Sequence, residues 1–113
     1  MGSPIYVDEW KLREIFNSAI LPRIEAKELL ESIVTDRPAS PKYGQGSGAR
    51  SQMVAYFEVV NGKMGSKVAE AHRYLLPDGT LGGSGKHLPD PKSLIHEGKL
   101  YVLDRKAGGK TQR

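Results

Sequence analysis

Apolar and polar positions alternate along this chain with two different periods. After Asp8, apolar residues stand at Leu12, Ile15, Phe16, Ala19 and Ile20. That is the i, i+3, i+4, i+7, i+8 spacing of one helical face. Asp8 suits the N-cap, because its carboxylate can take an otherwise unpaired backbone N–H. Pro22 interrupts the stripe. A second set follows at Ala26, Leu29, Leu30, Ile33 and Val34, with Glu25, Lys27, Glu28 and Glu31 between them. The pattern predicts helices over 8–20 and 23–35, with a break at Leu21-Pro22 and Pro22 in the first turn of the second.

From Met53 the period falls to two. Val54, Tyr56, Phe57, Val59 and Val60 suit a strand. Asn61-Gly62 is a strong hairpin signal, because both central residues of the tight turn need positive φ. A second strand is expected over about 63–76. A two-residue loop would pair Val60 with Lys63 and Phe57 with Ser66, unless a bulge near Gly65 or Ala69 shifts the register. That pairing groups Met53, Ala55, Phe57 and Val59 with Met64, Val68, His72 and Tyr74 on a face the helices would cover. Tyr56, Lys67, Ala69, Ala71 and Arg73 would lie on the open face. Pro77-Asp78-Gly79 reads as a turn and Thr80-Leu81 as the start of a short strand. Asp90-Pro91 reads as an N-cap and first turn leading to Ile95, and 100–103 as a last strand.

Between these parts, 37–52 holds Pro38, Pro41, Gly44, Gly46 and Gly48 with no visible period. It reads as a linker. The expected organisation is a helical segment (1–36), the linker (37–52), a β-rich unit (53–104) and a disordered basic tail (105–113). The expected fold class is α+β: two N-terminal helices, then a small antiparallel sheet of three to four strands.

Composition narrows the chemistry. The 113 residues carry a formal charge of +4. Residues 1–36 hold seven acids against four bases, and the remainder thirteen bases against six acids, so −3 stands against +7. A basic surface of this kind points to a polyanionic partner. The chain has no Cys, which excludes a disulfide, a thiol nucleophile and a Cys-based zinc site. No apolar run has bilayer length and no secretory signal is recognisable, so no membrane role and a cytoplasmic location are expected.

Candidate chemistry concentrates late in the chain. Gly82, Gly83, Ser84, Gly85 and Lys86 suit an anion loop, since successive glycine amides can cradle a phosphate. It is not a P-loop: that pattern needs Gly where Thr80 stands and Ser or Thr where His87 stands. His72, His87 and His96 match no zinc spacing, and no metal or other cofactor is expected. Arg73, Lys86, Lys92 and Lys67, with Tyr56 as a stacking surface, are the expected nucleic-acid contacts, to RNA ahead of DNA. A metal-independent ribonuclease would need a base, an acid and a cation around the phosphate. His72, His87, Glu70 and Tyr101 are the candidates for the acid–base pair.

The stretch from His72 to Gly85, with Asp90-Pro91-Lys92 and Leu100-Tyr101, resembles short microbial or phage-type proteins with an HxxLxPDGTxGGSG…DPK pattern. The resemblance spans about 53–104 and implies no activity. Helices ahead of an antiparallel sheet are also similar in layout to RelE-type and barnase-like ribonuclease toxins, with no catalytic motif matched. The leading expectation is therefore a small nucleic-acid-binding accessory protein, toxin-like or from a mobile element. Its rivals are a module that binds a partner protein or itself through helices in 8–35, and a metal-independent ribonuclease.

Overall fold

The structure is a computed structural model that describes residues 3–39, 48–82 and 90–104. The chain order is β1 (Ile5–Val7), α1 (Glu9–Ile15), a π-helical segment (Phe16–Ile20), α2 (Leu21–Glu25), β2 (Leu29–Pro38), β3 (Arg50–Val60), β4 (Lys63–Leu75), β5 (Leu81–Gly82), β6 (Asp90–His96) and β7 (Lys99–Leu103). The strands form one sheet in the order β1-β7-β6-β4-β3-β2, with β5 also pairing β4. β1 and β7 run parallel and the other pairs antiparallel. The expected two helices and small antiparallel sheet are thus replaced by one short helical run and a mixed sheet of six ordered strands plus β5. The likeness in layout to ribonuclease toxins loses its basis with them.

The first helix forms as its pattern predicts. Asp8 accepts from the Lys11 N–H at 2.8 Å, and Leu12, Ile15, Phe16 and Ile20 are buried. The break expected at Leu21-Pro22 does not occur: the helical run continues through Pro22 to Glu25. The Leu21 N–H reaches back five residues to the Phe16 carbonyl, the wide turn that lets a helix pass a residue with no donor.

The second predicted helix stops at Glu25. Lys27 takes a left-handed φ of 60°, and the Glu28 N–H closes on the Arg23 carbonyl at 2.9 Å. From Leu29 the chain is strand, paired with β3 along its length apart from a bulge between Ile33 and Thr35. The apolar spacing at 29–34 fits a helix, but Ile33, Val34 and Thr35 are β-branched, and β3 offers a full ladder of backbone partners. The segment 1–36 is therefore not wholly helical. The proposed linker also contracts: Pro38 pairs with Arg50, and the Ala39 N–H donates to Ala49. The tail 105–113 lies outside the described residues.

The Asn61-Gly62 hairpin is present, with φ of 53° and 75° and Val60 opposite Lys63. Two register shifts follow, so Phe57 faces Lys67 rather than Ser66, and Tyr56 faces Ala69. A second hairpin of the same kind, Glu97-Gly98 (φ 52° and 76°), joins β6 to β7. The predicted helical turn at 90–95 is strand β6. Pro91 is tolerated there because the ladder shifts register beside it and β7 pairs only from Ser93 onward.

The core joins Leu12, Ile15, Phe16 and Ile20 of the helical run to Val54, Tyr56, Val68, Ala69, Ala71 and Leu94 of the sheet. The helices therefore do not cover the Phe57/Val59 face. They cover Tyr56, Ala69 and Ala71, which were expected to be open. Alanines at 69 and 71 present no bulk, which lets large helical side chains settle against β4. Val59 and Met64 are left about half exposed.

Candidate functional site

The hairpin of β3 and β4 sets Ser51, Met53, His72 and Tyr74 side by side, because Met53 pairs with His72 and Ser51 with Tyr74. Asp90, the first residue of β6, pairs with His72 from the other side. Glu9 and Arg13 come down from α1, and Pro91, Lys92 and Leu103 complete the wall. Together they line a pocket of about 440 Å³, within the size range of small-molecule sites.

His72 is the centre of this pocket. Its Nε2 lies 2.7 Å from the Ser51 hydroxyl, and Tyr74 stands edge-on to its ring at 4.8 Å. Burial lowers its pKa below the ordinary 6.5. Lys92 and Arg37 push the same way, and Asp90 pushes against them. The imidazole is therefore neutral at pH 7. With its proton on Nδ1, Nε2 accepts from Ser51; with the proton on Nε2 the roles reverse.

Arg13 holds the helix to this wall. Its guanidinium donates to Asp90 at 2.6 Å and to Glu9 at 3.4 Å. Arg13 and Asp90 are both almost wholly buried, so each carries a charge that only a close partner makes tolerable.

The other expected site residues are dispersed. Tyr56 and Arg73 were placed on an open face, and both are buried. Arg73 is paired with Glu31 at 2.9 Å and donates to Gln52 at 3.0 Å. Burial foremost, then Glu31, raises the Tyr56 pKa, against the Arg73 contact. An aromatic and basic platform there is thus corrected to a structural ion-pair cluster. Lys67 and Glu70 bind each other at 2.7 Å, away from the pocket. Tyr101, on β7, packs against the core opposite Leu94 of β6. Gly82 pairs with Tyr74 in β5. Gly83, Ser84, Gly85, Lys86 and His87 lie outside the described residues.

Of the sequence candidates, the structure brings His72 and Lys92 together. Ser51, Arg13 and Asp90 were missed. Ser51 fell in the apparent linker, Arg13 on the polar side of a helix, and Asp90 in a supposed N-cap. The signal for Ser51 was the period of two, which extends back from Met53 through Ser51. The helical stripe proposed as a docking surface is consumed inside the fold, since Leu12, Phe16 and Ile20 are core residues.

Among the described residues no cluster of His, Asp and Glu is placed to hold a metal ion. No helix among them is long and apolar enough to cross a membrane. Fold and pocket together describe, for the described residues, a small mixed sheet with a polar pocket at the junction of helix and sheet. Compared with known proteins, the chain matches no family model, no curated protein and no solved structure.

Proposed function

We propose that this is a small nucleic-acid-binding protein, for RNA ahead of DNA, that takes a single-stranded backbone into the His72 pocket rather than across an open sheet. The observation that carries the reading is the convergence of Lys92, His72 and Ser51 on one concavity, where Asp90 and Glu9 are engaged by Arg13, in a chain whose residues 37–113 hold +7. Lys92 is a point charge for a phosphate. Ser51 and neutral His72 offer a donor and an acceptor side by side, which suits a ribose 2′-hydroxyl. A pocket favours unpaired nucleotides over a duplex, whose bases are stacked away.

The test is fluorescence anisotropy of a labelled single-stranded RNA across a salt series. Affinity falls steeply with salt, and Lys92→Ala both weakens binding and lowers the salt slope by about one. Lys67→Ala, distant from the pocket, has the smaller effect. Salt-independent binding, or binding indifferent to Lys92→Ala, refutes the reading.

The neutral, half-buried His72 favours one further reading, a metal-independent ribonuclease. His72 takes the 2′-hydroxyl proton, the 2′-oxygen attacks phosphorus, and the 5′-oxygen leaves with a proton from water. The product is a 2′,3′-cyclic phosphate. Cleavage that survives in folded His72→Ala removes this reading and leaves the binding proposal standing.

A further inference from the structure

The strand beside the pocket wall brings a second cation to His72. Beyond the bulge of β2 the register with β3 is regular: Thr35 pairs with Met53, Asp36 with Gln52 and Arg37 with Ser51. Residues directly opposite each other on neighbouring strands share a sheet face, and the faces alternate along each strand. Arg37 therefore stands on the face of Ser51 and Tyr74, which is also the face of Met53 and His72. Asp36 falls on the other face, where it binds Arg50 at 2.9 Å. Arg37 is exposed, and among the described residues no carboxylate pairs with it. Its charge reaches the ring nonetheless. After burial, the largest cause, Lys92 and Arg37 both hold the His72 pKa down while Asp90 opposes them. Lys92 approaches from β6 and Arg37 from β2, with β4 and β3 between those strands. Their backbones are thus three strand spacings apart, about 14 Å.

We propose that Arg37 is a second phosphate-binding residue of the His72 site, so that the ligand is an oligonucleotide whose successive phosphates meet Lys92 on one side of the ring and Arg37 on the other. The inference rests on the nucleic-acid reading of the pocket. A phosphate held by Lys92 beside His72 leaves Arg37 for the next phosphate along the same strand. The planar guanidinium suits that place, because its paired N–H groups match phosphate oxygens two at a time. The acids of the pocket offer Arg37 little competition, since Asp90 and Glu9 are engaged by Arg13. Between the two cations the Ser51 hydroxyl and the His72 ring are left for the ribose. A nucleotide with a single phosphate fills the Lys92 half alone, so the contribution of Arg37 depends on the length of the ligand.

The experiment uses the full chain and the labelled single-stranded RNA across a salt series. Arg37→Ala lowers the salt slope by about one, as Lys92→Ala does, and the double variant lowers it by about two. Lys63→Ala removes an exposed charge at the far end of β4 and leaves the slope unchanged. Displacement of the RNA by unlabelled competitors then measures length dependence. The inhibition constant of a nucleoside monophosphate is the same in Arg37→Ala as in the parent chain, whereas that of a trinucleotide rises severalfold. RNA binding that falls in Lys92→Ala while Arg37→Ala behaves as Lys63→Ala overturns the assignment of Arg37 and leaves the pocket reading standing. A monophosphate weakened as much as the trinucleotide puts both cations on one phosphate and overturns the two-phosphate arrangement. Absence of any salt-dependent RNA binding removes the inference together with the reading beneath it.

Discussion

Replacing Asp90 by Ala tests how the helix is held to the sheet. Asp90 and Arg13 meet at 2.6 Å across 77 positions of sequence, with side chains only 9% and 10% exposed. Removing one partner of a buried pair leaves an uncompensated charge, a loss of roughly 3–5 kcal/mol. Glu9 remains 3.4 Å from the guanidinium and is half exposed, so it recovers part of that. The expected destabilisation is about 2–4 kcal/mol. At several degrees per kcal/mol for a domain of this size, Tm should fall by about 10–20 °C. The internal control is Asp36→Ala. Asp36 pairs with Arg50 at 2.9 Å, but both side chains are 42% exposed, and such pairs contribute about 0–1 kcal/mol. Urea unfolding of the two variants separates burial from proximity. The double replacement Arg13→Met/Asp90→Leu should recover most of the loss, because the pair's desolvation cost disappears with it. If Asp90→Ala and Asp36→Ala lose the same small amount, the burial argument is refuted.

Three further outcomes follow from local geometry. Because the folded pKa of His72 lies below the ordinary 6.5, the unfolded chain binds its proton first on acidification. Its contribution to stability is thus complete above pH 6.5 and is lost as pH falls through the lowered folded value; His72→Gln should flatten that part of a pH–stability curve, and an NMR titration that places the ring above 6.5 contradicts it. Gly62 sits at φ 75°, so Gly62→Ala should cost about 1 kcal/mol or more by denaturant titration although nothing crowds the added methyl. Ala71 is fully buried beneath the helical run, so Ala71→Leu should overpack the core by about 1–3 kcal/mol, and a neutral result would show that the helix is loosely seated.

Local chemistry was legible in the sequence wherever a few neighbouring residues decide the outcome. The Asp8 cap, the Leu12–Ile20 stripe, the Asn61-Gly62 hairpin and the 76–79 turn all rest on side chains within a turn of each other. The failures share one cause. Leu29–Val34 has helical spacing and Asp90-Pro91 resembles a helix start, yet both become strands because β3 and β4 lie ready to pair with them. That competition is between local backbone bonds and partners far along the chain, and spacing cannot weigh it. The candidate site was legible only in His72 and Lys92. Ser51, Arg13 and Asp90 matter through neighbours remote in sequence.

By itself, then, the sequence determined a capped first helix, one tight hairpin, an acidic first third and a basic remainder without thiol chemistry. Only the tertiary structure decided which face of the hairpin the helix covers. It also decided that Tyr56 and Arg73 are interior and that His72 faces a pocket. The physical reason is that a strand offers two faces of similar polarity here, and small residues at Ala69 and Ala71, not the larger apolar ones, determine where a helix can come close.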